Sequence, residues 1–162
     1  MINAIVAVDK SQGIGFNGLM PWPRLQGDLQ WFKDTTVNNV VVMGSVTWKS
    51  IGKYLPNRVN VVISSTLYPT ANLTFSDPVE AIQILKERYS TTEIFIIGGQ
   101  AIYDSTKELV DRFYVTEIDA TYTCDKFFNL DFVKENCPNV KEMLHFNATE
   151  ATPAFTIKEY TK

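Results

Sequence analysis

Histidine occurs once and cysteine twice in this chain of 162 residues. No Ser/His/Asp arrangement and no cluster with metal-ligand spacing can be traced, so no metal site is expected. Cys124 and Cys137 have neither metal nor redox spacing and read as two reduced thiols of a cytoplasmic protein. Basic blocks are missing too, and the net charge is -3 with a pI near 5.2, which argues against a nucleic-acid partner. No apolar run exceeds the length of a strand, so no membrane span is expected. The opening Met1 to Val8 lacks a basic n-region and reads as a first strand, not a signal peptide. Repeats and low-complexity tracts are absent. The length suits one domain over residues 1–162, able to bury a core without staples and expected to be a monomer.

What the chain does have is a set of short Ile- and Val-rich runs: Ile2 to Val8, Val40 to Met43, Val59 to Ser64 and Ile94 to Ile97. They are nearly continuous, not alternating, which predicts strands covered on both faces. Helical spacing falls between them, over 25–35, 45–51, 78–89 and 100–109, the third with Asp77 as N-cap and Pro78 at the first helical position. Arg112 to Ile118, Val140 to Phe146 and Phe155 to Tyr160 read as consecutive strands with no convincing helix between them, hence antiparallel at one sheet edge. The expected fold is α/β in three layers: a mixed, mostly parallel central sheet of about eight strands, with antiparallel C-terminal strands and about four flanking helices. Segments 9–24 and 65–72 are expected to be long loops, of the kind that often carry function.

One acid shares a face with aromatics. Helical spacing sets Asp28 beside Trp31 and Phe32, with Leu29 next to them and the stiff Met20-Pro21-Trp22-Pro23 just before. A carboxylate there is costly to desolvate unless paired, and at the mouth of an apolar pocket it is a functional candidate. The plain alternative is an acid favoured by the dipole of the first helical turn. Two strand-to-helix junctions, Met43-Gly44-Ser45-Val46-Thr47 and Ile97-Gly98-Gly99-Gln100, offer backbone N–H groups to an anion. Neither carries the Walker lysine or the six-position dinucleotide fingerprint. Together with a pocket acid they point to a dinucleotide across the C-terminal ends of parallel strands. Arg58 opens a strand after Leu-Pro-Asn and is either a bidentate carboxylate clamp or a surface ion-pair member. Thr116 is either an ordinary β-former or a hydroxyl partner for a buried carboxylate. His145 lies far from every motif and is given no role.

From end to end these residues resemble dihydrofolate reductase. The match runs through Ile5-Val6-Ala7-Val8, Gly13-Ile14-Gly15, Leu19-Met20-Pro21-Trp22, Asp28 to Lys33, Met43-Gly44 with Thr47-Trp48, and Ser50-Ile51-Gly52. It continues through Leu55-Pro56-Asn57-Arg58, Ile96-Ile97-Gly98-Gly99, Ile102-Tyr103 and Tyr114 to Asp119. The resemblance implies reduction of 7,8-dihydrofolate to 5,6,7,8-tetrahydrofolate by hydride from NADPH, in support of one-carbon metabolism and thymidylate synthesis, by an enzyme open to antifolate inhibitors. It implies that Asp28 pairs with the pterin, supported by Thr116, with Trp22 as the third catalytic-site residue. Ile5, Ala7, Leu29, Phe32, Ile51, Leu55 and Ile97 would line the substrate, and Arg58 would hold the α-carboxylate of the glutamate tail. Gly44, Ser45, Val46 and Thr47, and Gly98, Gly99, Gln100, Ala101, Ile102 and Tyr103, would cradle the cofactor's pyrophosphate. Ala7, Ile14 and Ile97 would meet its nicotinamide. Residues 9–24, with Gly15, Gly18 and Leu19, resemble a mobile lid, and the Gly98–Gly99 bond is implied to be cis.

The chain departs from the family where the 2′-phosphate of NADPH would sit. Ser45 and Val46 follow Met-Gly, Ala101 stands in the second junction, and Ser65 and Thr66 follow Ser64, where family members often carry basic or amide side chains. Each lost charge-assisted bond removes roughly 1.5–3 kcal/mol of phosphate affinity. A weakened preference for NADPH, with NADH also usable, is therefore expected. Two other readings stay open at this point: a pyrimidinone reductase of riboflavin synthesis, against which Trp22, Asp28 and Arg58 speak, and a non-catalytic binding protein that kept the fold.

Overall fold

Residues 1–162 are described by a computed structural model. Eight strands form one sheet: β1 (Ile2–Val8), β3 (Val40–Gly44), β4 (Val59–Ile63), β5 (Leu73–Phe75), β6 (Ile94–Gly98), β7 (Arg112–Ile118), β9 (Asn139–Phe146) and β10 (Phe155–Thr161). Their spatial order is β5-β4-β3-β6-β1-β7-β10-β9. From β5 to β7 every pairing is parallel, and β10 runs antiparallel to both β7 and β9. A separate ribbon pairs β2 (Gly13–Gly15) with β8 (Lys126–Phe127). The expected mixed sheet with an antiparallel C-terminal edge is thus the observed one.

Why the central strands are apolar on both sides is visible in their alternation. Val40 and Val42 of β3 point into one cluster, with Ile94 and Ile96 of β6 and Val61 and Ile63 of β4. Val41, Met43, Val62 and Phe95 point into the cluster on the other face. Successive side chains of a strand face opposite ways, so a strand roofed on both faces has no polar side. The first cluster is covered by α3 (Pro78–Arg88) and α4 (Gln100–Thr106), through Ala81, Ile82, Leu85, Ile102 and Tyr103. The second is covered by α1 (Gln26–Thr36) and α2 (Ser45–Ile51), through Trp31, Phe32, Trp48 and Ile51. Asp77 caps α3, its Oδ1 accepting from Val79 N at 2.9 Å and Glu80 N at 3.1 Å.

The flanking helices number five rather than four. The additional one, α5 (Leu130–Asn136), lies in the stretch expected to hold strands alone. It is as short as α2 and α4, but unlike them it follows no apolar strand that ends in glycine, so no strand-to-helix junction announces it. Its signature is local: Asn129 caps it by accepting from Phe132 N at 3.0 Å, and Leu130, Val133 and Cys137 fall on one buried face. The three-residue strands β2 and β5 and the two-residue β8 are too short to alternate, and two of them lie in or beside the expected loops. The last helical segment also ends early: α4 stops at Thr106, and 107–109 tightens into a 3₁₀ turn.

Candidate active site

Asp28 sits in the first turn of α1, and Thr116 in the middle of β7. The Thr116 hydroxyl donates to Asp28 Oδ1 at 2.6 Å. Thr116 is only 3% exposed and is held in register between Ala7 of β1 and Ile157 of β10. Burial pushes the Asp28 carboxyl above the usual carboxylate range, and the Thr116 hydrogen bond pulls it partway back. Ile5, Trp48, Leu55, Phe95 and Tyr114 form an apolar wall on this face, with Trp31, Phe32, Ile51 and Ile97 packed on it. The Trp31 ring meets Tyr114 edge-on at 5.6 Å, while its Nε1 is buried without a partner. Trp22 belongs to the adjoining cluster of Leu25, Ile118, Phe155 and Ile157, on which Ala7 and Trp31 also pack. Leu29, half-buried on α1, joins none of these clusters.

Beside this apolar wall the two strand-to-helix junctions come together. A Cβ on Gly44 would lie 3.1 Å from Ile102 Cγ1, so the end of β3 is pressed against α4. Gly98 has φ +126°, and a Cβ there would lie 3.3 Å from Thr47 Oγ1 and 3.5 Å from Tyr103 Oη. Gly98 is buried and packed between Thr47 and Tyr103 with no room for a side chain, and the Gly98–Gly99 bond is cis. The Tyr103 hydroxyl donates to the Ile5 carbonyl at 2.7 Å, which joins the cradle to the pocket wall. Burial raises that phenol far above its usual pKa, so it stays a neutral donor. Ser45 and Thr47 are half-buried and Val46 is exposed, as are Ser65, Thr66 and Ala101. Ser64 Oγ accepts from Thr66 N at 3.1 Å.

The 9–24 segment folds over toward the same cradle. Its β2 pairs with β8, Asp125 N donates to Gly15 O at 2.9 Å, and Asn17 N donates to Asp125 Oδ2 at 3.1 Å. A Cβ on Gly18 would lie 4.0 Å from Val46 Cγ1 at the start of α2, Leu19 is exposed, and Ile14 packs on the core. The base of the segment is fixed by Asp9, which is buried. Its carboxylate accepts from Ser11 N at 2.9 Å, Gly13 N at 2.8 Å and Tyr122 N at 2.9 Å.

Arg58 is 8% exposed. Its Nε donates to Pro56 O at 3.0 Å and its Nη1 to Thr36 Oγ1 at 3.1 Å. The ion pairs of the molecule are Lys10–Asp119, Arg112–Glu93 and Lys158–Glu117, so the surface ion-pair alternative for Arg58 does not hold. Arg58 is thus a buried guanidinium bonded to neutral oxygens, with no carboxylate of the chain paired to it. His145 sits exposed on β9 against Thr156. The residues that sequence reasoning missed are Asp9, Thr36 and Tyr122. Asp9 and Tyr122 are joined across 113 positions and Thr36 and Arg58 across 22, so no local pattern announces them.

A family model described as dihydrofolate reductase matches residues 1–162. Dihydrofolate reductase type 9 of Escherichia coli is 36% identical over 140 residues, covering 82% of this chain and 78% of that protein. The dihydrofolate reductase of Buchnera aphidicola subsp. Acyrthosiphon pisum is 38% identical over 128 residues, 78% of each chain. Among solved structures, dihydrofolate reductase from Enterococcus faecalis, complexed with NADP(H) and RAB-propyl, superposes with a TM-score of 0.83 at 27% identity. That match covers 99% of this chain and 95% of the other.

Proposed function

The chain belongs to the dihydrofolate reductase family, and from that premise we propose how its residues divide the reaction. It is an NADPH-dependent oxidoreductase that reduces 7,8-dihydrofolate to 5,6,7,8-tetrahydrofolate and so supplies one-carbon metabolism. The observation that carries the assignment of roles is the half-buried Asp28 carboxylate bonded to Thr116 beside an apolar pocket.

Asp28 receives the pterin. With one lone pair of Oδ1 taken by Thr116, its remaining lone pairs accept from pterin N3–H and the 2-amino group. Burial raises its pKa, so the acid form persists to higher pH than in a free aspartate, and Asp28 promotes protonation at N5 either as donor or by polarising the ring while water donates. Trp22, buried beside Ala7 and Trp31, closes the pocket against water. Ile5, Ala7, Leu29, Phe32, Ile51, Leu55 and Ile97 flank the pterin and the benzoyl ring, and Arg58 holds the glutamate α-carboxylate. Glycine at Gly44 and Gly98 lets the starts of α2 and α4 pack side by side, and the backbone N–H groups of those two helix starts suit the pyrophosphate of a dinucleotide. Thr47, Gln100, Ala101, Ile102 and Tyr103 complete that cradle, and Ile14, Gly15, Gly18 and Leu19 cover it from the lid. When bound, NADPH supplies the hydride that passes from nicotinamide C4 to pterin C6. The same pocket is the one antifolates occupy.

No helix is long and apolar enough to cross a membrane. Both cysteines are free thiols, which fits the cytoplasm as the place of work.

The test is initial-rate oxidation of NADPH, followed by nicotinamide absorbance, with and without dihydrofolate. Oxidation that depends on dihydrofolate and is lost in Asp28→Asn upholds the reading. Oxidation independent of dihydrofolate, or a fully active variant, refutes it.

A second reading concerns the cofactor's 2′-phosphate. Ser45, Val46, Ser64, Ser65, Thr66 and Ala101 around the cradle are all uncharged, so these positions offer a dianion hydroxyl groups and no cation, and Lys49 and Lys53 are the cations nearest in sequence. NADH is then usable beside NADPH. The expected ratio of kcat/KM between the two cofactors is modest, and a preference for NADPH of about a thousandfold, equal to about 4 kcal/mol, would refute it.

A further inference from the structure

Asn60 is the one polar side chain of β4, set among Val59, Val61, Val62 and Ile63 and fully buried. Every hydrogen-bonding use of its amide is local to one turn. Oδ1 accepts from Leu55 N at 2.9 Å, and Nδ2 donates to Leu55 O at 2.9 Å and to Arg58 O at 3.1 Å. The turn it spans, Leu55-Pro56-Asn57-Arg58, holds Asn57 at φ +60° and carries both the Leu55 wall and the Arg58 guanidinium. A second bond reaches the same carbonyl from the opposite partner: the Tyr54 hydroxyl donates to Arg58 O at 2.9 Å. Asn60 is itself anchored through its backbone, its N–H donating to Asn72 Oδ1 at 2.7 Å and its carbonyl accepting from Asn72 N at 2.9 Å.

This arrangement needs asparagine. Aspartate has the acceptor but not the two donors, serine is too short to span Leu55 and Arg58, and an apolar residue would leave the N–H and C=O of Leu55 without their side-chain partner. The guanidinium end of Arg58 is held by Pro56 O and Thr36, but those bonds fix direction only once the backbone is fixed. We propose that Asn60 is a positioning residue for recognition of the substrate's benzoylglutamate tail. It locks the Leu55–Arg58 turn to β4, so that apolar wall and cation are presented at a constant spacing. The proposal rests on the reading of Arg58 as the carboxylate clamp.

The experiment compares dihydrofolate with 6-methyl-7,8-dihydropterin, which has the same reacting ring and no tail. Asn60→Ser is expected to raise KM for dihydrofolate about tenfold with kcat within about twofold, and to leave kcat/KM for the tail-less pterin unchanged. Tyr54→Phe, at a side chain 41% exposed and safe for folding, is expected to shift the same KM about threefold. Combining Asn60→Ser with Arg58→Leu is expected to add nothing to the loss from Arg58→Leu alone. Equal losses on both substrates would show a merely structural role and overturn the proposal. Should Asn60→Ser fail to fold, an unchanged KM in Tyr54→Phe overturns it. If Arg58→Leu itself leaves KM for dihydrofolate unchanged, the clamp reading fails and takes the proposal with it. If Arg58→Leu raises KM while Asn60→Ser does not, only the positioning role is lost.

Discussion

Thr116→Val is the most incisive perturbation of the site. Valine keeps the β-branched shape that β7 needs and packs between Ala7 and Ile157 without a change of volume. What is lost is one hydroxyl proton shared with Asp28 Oδ1 at 2.6 Å. A hydrogen bond to a charged group is worth about 1.5–3 kcal/mol, and because Asp28 is half-buried the lower end applies. The carboxylate loses that support relative to the carboxylic acid, so the pKa of Asp28 rises in the variant. The direction follows from the two opposing influences on Asp28: burial raises its pKa, Thr116 lowers it, and removal of Thr116 leaves burial unopposed. A step that uses the protonated acid therefore persists to higher pH in the variant, while binding of a cationic diaminopyrimidine, which needs the carboxylate, weakens at neutral pH. The assay is the pH profile of kcat/KM for dihydrofolate, with Thr116→Ser as the control expected to restore the parent profile. A profile that stays in place, or moves toward acid, would refute the electrostatic role given to Thr116.

Three further outcomes follow from the same structure. Asp28→Asn should lose about two to four orders of magnitude in kcat; because the folded-state pKa of Asp28 is raised, its stabilising share is full below its unfolded pKa and is lost as pH rises through the folded one, so urea unfolding should favour the variant more at pH 7 than at pH 4. Gly98→Ala must place a side chain at φ +126° with its Cβ 3.3 Å from Thr47 Oγ1, and should cost about 1–3 kcal/mol in thermal unfolding together with measurable loss of nucleotide binding. Asn129→Ala removes the side-chain cap of α5 and should cost about 0.5–2 kcal/mol with kcat unchanged, as read by denaturant midpoint and steady-state rates.

The central strands and four of the helices were legible because their signals are contiguous. Val40 to Met43 announces a doubly covered strand by composition alone, and Asp77-Pro78 announces the start of α3 by capping chemistry. Helix α5 was not legible: α2 and α4 are equally short, but each follows an apolar strand ending in glycine, whereas only Asn129 marks the start of α5. The same limit governs the site. Asp28 is conspicuous because its unfavourable neighbours, Trp31 and Phe32, lie on its own helix. Thr116 is one β-branched residue among others, and its meaning comes from Asp28, 88 positions away.

The positions that escaped notice share one property: they hold a functional group in place and do not carry it. Asp9 commits its carboxylate to the backbone N–H groups of Ser11, Gly13 and Tyr122 and thereby ties the root of the 9–24 segment to the loop after β7. Thr36 and Asn60 do the same for Arg58 from α1 and β4. Supporting residues of this kind bond mostly to backbone, which every residue possesses, so their partners leave no mark in the sequence. A buried polar residue in an otherwise apolar strand is the one trace available. Asn60 between Val59 and Val61 is such a trace, because full burial of an amide is tolerated only where the surrounding backbone satisfies it, and here that backbone is the turn that carries Arg58.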